Sequence, residues 1–168
     1  SCSLVVVSAI YAWLSSVVVN DIFDQVADRI SNPNRTLIKK VLNQRDYALL
    51  AILLAATSLF LSLIANPFSS VFIVLFLALT WLYNAPPFRF KRLPLIATFI
   101  SAVASLMILF VGYTVLDTSG SLQYFPTNIA LLLLFAYTVS LPLKDLKDIA
   151  GDKKTGTWTI PVLLGETR

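Results

Sequence analysis

Two acidic triplets in this chain share one spacing. Asp21, Asp24 and Asp28, within Asn20-Asp21-Ile22-Phe23-Asp24-Gln25-Val26-Ala27-Asp28, follow D-x2-D-x3-D, and Asp145, Asp148 and Asp152 repeat it. Steps of three and four residues keep side chains on one helical face, so each triplet reads as a single acidic stripe. Each stripe follows an apolar run, residues 3–19 in the first case and 129–143 in the second. Aspartate is a mediocre helix former, and at a helix C-terminus it meets the negative end of the helix dipole. Carboxylates placed so, twice, are unfavourable unless cations occupy the site. Hard cations with oxygen ligands suit them, Mg²⁺ first among these, and Asp21, Asp24, Asp28, Asp145, Asp148 and Asp152 are the expected metal ligands. Mg²⁺ is usually shared between a few carboxylates and substrate phosphates rather than caged by protein alone. The loops near the stripes carry Arg35, Arg89, Lys91, Arg92 and Lys144. These basic groups supply the other half of a diphosphate site. At a lipid boundary the combination points to a substrate with a diphosphate head and an apolar tail.

The elements that must position these residues are membrane spans. Of 168 residues, 57% are hydrophobic and only 13% charged, and the mean hydropathy is +0.79. Soluble domains carry about 25% charged residues. Apolar runs near the ~20 residues that cross a bilayer core recur along the chain, which predicts an all-α, multi-pass transmembrane bundle. The single cysteine, Cys2, excludes an intrachain disulfide and a structural thiolate metal site. The absence of histidine excludes histidine general bases and Ser-His-Asp triads. Nothing points to a nucleic-acid partner; the expected surroundings are the lipid bilayer. Ser1 opens inside an apolar run, so the chain is expected to be a piece of a longer protein.

Five spans are predicted, at about residues 3–19, 47–65, 70–83, 95–116 and 127–143. Asn32-Pro33-Asn34-Arg35 marks a turn after the first, Asn66-Pro67 breaks the second, and Pro86-Pro87 stops the third. Residues 117–126, with Gly120, form a polar loop, and Pro142 is expected to bend or loosen the last helix. With five spans, the loops after the first, third and fifth hold all 13 Lys and Arg, including Lys153, Lys154 and Arg168. The positive-inside rule then puts this face, and both acidic stripes, in the cytoplasm. An isolated Arg or Lys there also fits a solvated anchor, and Tyr83 fits an ordinary interfacial aromatic.

The stretch N-D-x-x-D-x-x-x-D from Asn20 to Asp28, followed by Asn32-Pro33-Asn34-Arg35, resembles the first signature of the UbiA superfamily of intramembrane prenyltransferases. Asp148–Asp152, within Lys144-Asp145-Leu146-Lys147-Asp148-Ile149-Ala150-Gly151-Asp152-Lys153-Lys154-Thr155-Gly156, resembles the second, and Thr159-Ile160-Pro161-Val162-Leu163-Leu164-Gly165 is similar to its continuation. Residues 83–92 resemble the family loop in which a tyrosine precedes a basic residue. The resemblance implies about nine helices around a central cavity, of which about five are present here in one domain, residues 1–168, incomplete at both ends. It implies Mg²⁺-dependent transfer of a polyprenyl group from its diphosphate to a hydrophobic or aromatic acceptor. Carried over, Asn20, Asp24, Asp28, Asp148 and Asp152 would hold the metal–diphosphate, with Asp21 and Asp145 in support. Arg35 and Lys91 would bind phosphate oxygens, with Arg89 or Lys144 as helpers, and Tyr83 would lie near the reacting allylic carbon. One departure concerns the loop over the site: where the family continues with a proline and a small-residue turn, this chain has Thr36-Leu37-Ile38-Lys39-Lys40.

An aromatic acceptor, as in quinone and tocopherol pathways, is the first expectation. A glycerol-phosphate lipid, a tetrapyrrole or a phosphoribosyl-type reaction are the alternatives on the same scaffold. The rival from another class is a cation transporter using the carboxylates as an ion path. Such residues belong near the bilayer midplane, whereas these lie at span ends among basic groups that repel a permeating cation.

Overall fold

The computed structural model describes residues 2–117 and 121–165, with every side chain among them except that of Lys144. Gly120 of the expected polar loop and Arg168 lie outside the described residues. Within them the chain is all-helical. Four helices are long and apolar enough to cross a membrane: α1 (Cys2–Phe23), α3 (Gln44–Ala65), α4 (Pro67–Asn84) and α5 (Pro94–Leu116). A fifth crossing, Thr127–Thr155, is composite. It opens with α6 (Thr127–Ser140), passes through a 3-10 segment at Leu141–Asp148 and ends in α7 (Ile149–Thr155). Two other short α-helices, α2 (Gln25–Ser31) and α8 (Ile160–Leu164), and a 3-10 turn at Phe90–Arg92 complete the set among the described residues. Twenty-two helical residues rise about 33 Å, enough for a hydrocarbon core of roughly 30 Å.

Small residues bring α1 and α3 together. The buried residues of α1 are Val5, Ser8, Ala12, Ser15, Val18 and Asp21, steps of three and four that mark one face. Ser8 Oγ donates to the Ser58 carbonyl at 2.8 Å and Ser58 Oγ returns a bond to the Ser8 carbonyl at 2.7 Å. Ser15 Oγ donates to the Ala51 carbonyl at 2.9 Å. Lipid is as apolar as leucine, so helices in a bilayer associate through close packing and such bonds rather than by hydrophobic exclusion. The outer face of α3 accordingly carries exposed Leu49, Ile52, Leu53, Phe60, Leu63 and Ile64.

The turn from α3 into α4 is made by Asn66, whose side chain accepts from Phe68 N at 3.0 Å while Pro67 opens the helix. Asn66 Nδ2 also donates to the Thr114 carbonyl at 3.0 Å, which ties this turn to α5. Phe72, Ile73, Phe76, Ala104 and Val111 form the buried core between α4 and α5, joined to Val5 and Ala12 of α1. The third span thus begins three residues before the predicted boundary, because Asn66-Pro67 starts one helix while ending another. Pro142 sits at the second position of the 3-10 segment. It lacks the N–H that an α-helix requires, so the α-helix ends at Ser140, where the sequence predicts loosening.

Replacing Ser58 by alanine removes bonds but keeps the close approach, at an expected cost of about 0.6 kcal/mol. Ser58→Leu forces α1 and α3 apart and is expected to cost about 1–3 kcal/mol. Thermal unfolding in detergent checks the order; equal midpoints for the two variants would exclude packing as the cause.

Candidate active site

Both acidic triplets are built alike, and neither lies on one uninterrupted helix as the spacing predicts. The first helix runs through Asn20 and Asp21 to Phe23, then breaks at Asp24, with φ −104° and ψ 9°. Asp148 breaks the chain before α7 with φ −104° and ψ 2°. Each central aspartate therefore precedes a seven-residue helix that carries the third carboxylate of its triplet. Backbone bonds bridge the first break, from Asp24 N to the Asn20 carbonyl at 3.0 Å and from Asp28 N to the Asp24 carbonyl at 2.8 Å. The break fans the three carboxylates apart instead of stacking them in one stripe.

The two short helices pack directly on each other through Gly151. A Cβ at this position would meet Ser31 Oγ at 2.5 Å and the Ala27 carbonyl oxygen at 2.9 Å, so only glycine allows the crossing. Ser31 Oγ accepts from Gly151 N at 3.2 Å. Asn32 closes the joint: its Nδ2 donates to Asp28 Oδ1 at 3.1 Å and to Asp148 Oδ1 at 2.9 Å, bridging the two motifs. At the far end of α7, Gly156 adopts the left-handed conformation (φ 67°) that glycine takes without strain and turns the chain back. Thr159, beyond that turn, donates from Oγ1 to Asp152 Oδ2 at 3.4 Å.

These contacts enclose a polar cavity of about 200 Å³ lined by Asn20, Asp24, Arg35, Tyr83, Lys91, Asp145, Lys147, Asp148, Asp152, Thr157 and Thr159. Eight residues expected from the sequence are brought together there: Asn20, Asp24, Arg35, Tyr83, Lys91, Asp145, Asp148 and Asp152. Three are placed otherwise. Asp21 turns toward α3, where its carboxylate pairs with Arg35 and accepts from the Tyr47 hydroxyl at 3.1 Å. Asp28 is buried behind the cavity, 3.3 Å from Arg35 Nε. Arg89 does not line the cavity: its Nη2 donates to the Phe23 carbonyl at 2.9 Å, satisfying the C-terminus of α1, and lies 3.5 Å from Asp24. The side chain of Lys144 lies outside those described, and Lys147 of the same motif lines the cavity. Asn32, Lys147 and Thr159 stand inside motifs legible in the sequence, and Thr157 lies between two of them. Tyr47 and Asn84 carry no such signal, since their contacts are made between helices.

Charges in the cavity are partly compensated. Lys91 is buried and bonds Asp24, with Asn84 Oδ1 3.4 Å away. Burial pushes the Lys91 ammonium down from its ordinary range, and the adjacent Asp24 carboxylate opposes that shift. Burial raises the Asp28 carboxyl to about 6, the Asn32 bond opposes this, and Asp24 and Asp148 add to the rise. Asp28 Oδ2 is buried without a hydrogen-bond partner among the described residues. An orphaned carboxylate oxygen beside Asp24 and Asp148 suits a hard cation with oxygen ligands. Among the described residues no three acidic groups stand close enough to hold an ion unaided. A metal here needs further oxygens from a ligand, as Mg²⁺ sites shared with phosphates do.

Asn20 and Tyr83 also line a second cavity of about 240 Å³ that runs between α1, α4 and α5. Trp13, Val17, Phe76, Leu79, Ile100 and Ala104 make it mostly apolar, with Ser16, Thr80, Asn84, Ser101 and Ser105 also in its walls. The two residues therefore stand in the walls of both a carboxylate-lined cavity and a mostly apolar one.

Two outcomes are expected. Gly151→Ala pushes α2 from α7 and should abolish tight diphosphate binding at an overpacking cost of about 1–3 kcal/mol; retained binding by calorimetry would mean that the crossing does not set the site. Because the folded state raises the Asp28 pKa, its contribution to stability is fully present below about 4 and lost as pH rises through about 6. The cation-free protein should thus melt lower at pH 7 than at pH 5, and Mg²⁺ with diphosphate should stabilise it more at the higher pH. Melting curves at both pH values test this.

Comparison with known proteins agrees with this architecture. Digeranylgeranylglyceryl phosphate synthase of Pyrococcus furiosus is 30% identical over 152 residues, covering 89% of this chain and 51% of that protein. The chloroplastic 2-acyl-4-prenylphloroglucinol 6-prenyltransferase of Humulus lupulus is 28% identical over 169 residues, covering 96% of this chain and 41% of that protein. The chain thus spans about half the length of the curated relatives it matches. A UbiA homolog from Archaeoglobus fulgidus, solved with GPP and Mg²⁺ bound, superposes with a TM-score of 0.85 at 23% identity, over 98% of this chain and 57% of that one. The model of the UbiA prenyltransferase family matches residues 1–168, and the chain is an integral membrane protein that belongs to that family.

Proposed function

We propose that this protein transfers a polyprenyl group from its diphosphate to a lipid-soluble acceptor, with Mg²⁺ as the metal, as residues 1–168 of a larger single domain. The observation that carries this reading is the junction at Asn20 and Tyr83. There a cavity lined, among the described residues, by four carboxylates and three cations adjoins a mostly apolar one. That shape fits a molecule with a diphosphate head and a hydrocarbon tail. Relatives named for such transfers, and a homolog solved with GPP and Mg²⁺, support it. The positive-inside distribution of Lys and Arg supports a cytoplasmic position for the motifs.

In this reading Asp24, Asp145, Asp148 and Asp152 face the metal–diphosphate, with Asp28 behind Asp24 and Asn20 at the α-phosphate end. When bound, Mg²⁺ neutralises charge that grows on the leaving diphosphate. Arg35, Lys91 and Lys147 add positive charge to the same oxygens, where it lowers the barrier more than it tightens the ground state. Lys91 reaches the cavity with its ammonium already desolvated, so it gives up no water on binding. Tyr83 lies across from the bond that breaks, with its ring beside the developing allylic cation. The apolar chamber keeps water from that cation until a nucleophile on the acceptor takes it.

An aromatic ring is the first acceptor class, and a glycerol-phosphate lipid, which the name of the Pyrococcus relative supports, is the second. Labelled geranylgeranyl diphosphate, Mg²⁺ and both acceptor classes, supplied to membranes carrying the protein, separate them. Asp24→Ala and Asp148→Ala should each lower turnover by about 10²-fold or more. Product formation unaffected by either substitution or by chelation would refute the reading.

A further inference from the structure

The segment between α2 and α3 brings Arg35 to the wall of the polar cavity. Two anchors fix that segment. Leu37 is buried in a cluster with Val18 of α1 and with Tyr47 and Ala51 of α3. Arg35 is held from behind by two carboxylates, Asp21 at Nη1 and Asp28 3.3 Å from Nε. Its remaining nitrogen, Nη2, makes no such ion pair among the described residues. A planar guanidinium held at both Nη1 and Nε is fixed in orientation, so Nη2 donates in a set direction, as recognition of a phosphate oxygen requires.

Asp21 can hold Arg35 this way only if its own carboxylate is oriented. The Tyr47 hydroxyl does this, donating to Asp21 Oδ2 at 3.1 Å while Oδ1 faces Arg35. Tyr47 and Asp21 are both 7% exposed, so water does not substitute for either partner. The ring of Tyr47 meanwhile packs against Leu37, the residue that stands where the family loop differs. One side chain at the start of α3 thereby supports the loop through its ring and the cation through its hydroxyl.

We propose that Tyr47 is a positioning residue for diphosphate binding, acting through Asp21 to aim Arg35 into the cavity. Asp21 is then a second carboxylate behind the cation rather than a metal ligand. The inference rests on the diphosphate reading of the cavity given above.

The test compares wild type with Tyr47→Phe, Asp21→Asn, Arg35→Ala and the double variant Tyr47→Phe/Arg35→Ala, each as the whole membrane protein in detergent. The probes are Mg²⁺–geranyl diphosphate and Mg²⁺–pyrophosphate, titrated by calorimetry, with melting curves to confirm folding. Tyr47→Phe keeps the ring and its packing, so it should fold normally. Removing one hydrogen bond to a charged group is expected to weaken both probes about tenfold and by the same factor, because Arg35 meets only the diphosphate head that they share. Asp21→Asn should weaken them at least as much. In the Arg35→Ala background, Tyr47→Phe should change nothing further. Binding by Tyr47→Phe equal to wild type would overturn the inference. So would an equal weakening with and without Arg35, which marks a merely structural role. Failure of wild type to bind either probe would instead remove the diphosphate reading, and this inference with it.

Discussion

Carboxylates repel one another most where water is scarce, and that repulsion is the constraint on which the site depends. Two like charges about 4 Å apart repel by roughly 4 kcal/mol at an effective dielectric of about 20. Here Asp24, Asp145, Asp148 and Asp152 face one cavity of about 200 Å³ beside an apolar bundle, with Asp28 buried behind them. Lys91 and Arg35 offset part of this charge. Burial raises the pKa of Asp28, Asp24 and Asp148 add to the rise, and one Asp28 oxygen has no partner among the described residues. A cation with its own oxygen-rich ligand relieves all of these at once. The site is therefore strained toward binding, which is where the bundle's stability and its chemistry meet.

Holding such charges at a lipid boundary requires rigid local structure that does not rely on hydrophobic exclusion. The chain meets this with close approach and buried bonds. Serines join α1 to α3, Asn66 joins a turn to α5, and Gly151 lets α7 lie against α2. Asn32 then ties one acidic motif to the other with a single amide. The two helix breaks at Asp24 and Asp148 serve the same end. The first divides its triplet between the cavity and supporting partners, while Asp145, Asp148 and Asp152 all line the cavity.

Position within the bundle also separates roles that composition treats alike. Arg35, Lys91 and Arg89 are all basic residues in loops on one side of the spans. Arg35 and Lys91 line the cavity, while Arg89 bonds the last carbonyl of α1. Tyr83 and Asn20 differ from other span-end residues in standing in the walls of both cavities. A channel would need its carboxylates free of cations along a path. Here Lys91 is bonded to Asp24 and Arg35 to Asp21 and Asp28, an arrangement suited to anionic oxygens.

Much was legible in the sequence because it depends on neighbours along the chain. Apolar length set the five spans, Asn66-Pro67 and Pro142 set where helices end, and the repeated D-x2-D-x3-D pattern marked both motifs. Periodicity at three and four residues carries that information, since side chains so spaced share a face whatever the fold. It did not reveal the break inside each triplet, because a one-residue departure at Asp24 or Asp148 leaves the spacing unchanged. Nor did it separate Asp21 from Asp24, three residues apart and chemically identical. Only the packing of α3 against α1 decided that Asp21 faces Tyr47 and Arg35 while Asp24 faces the cavity. Contacts between residues 26 or 116 positions apart, Tyr47 with Asp21 and Asn32 with Asp148, are products of helix docking. Local spacing determines which face a residue shares, and tertiary packing determines what that face meets.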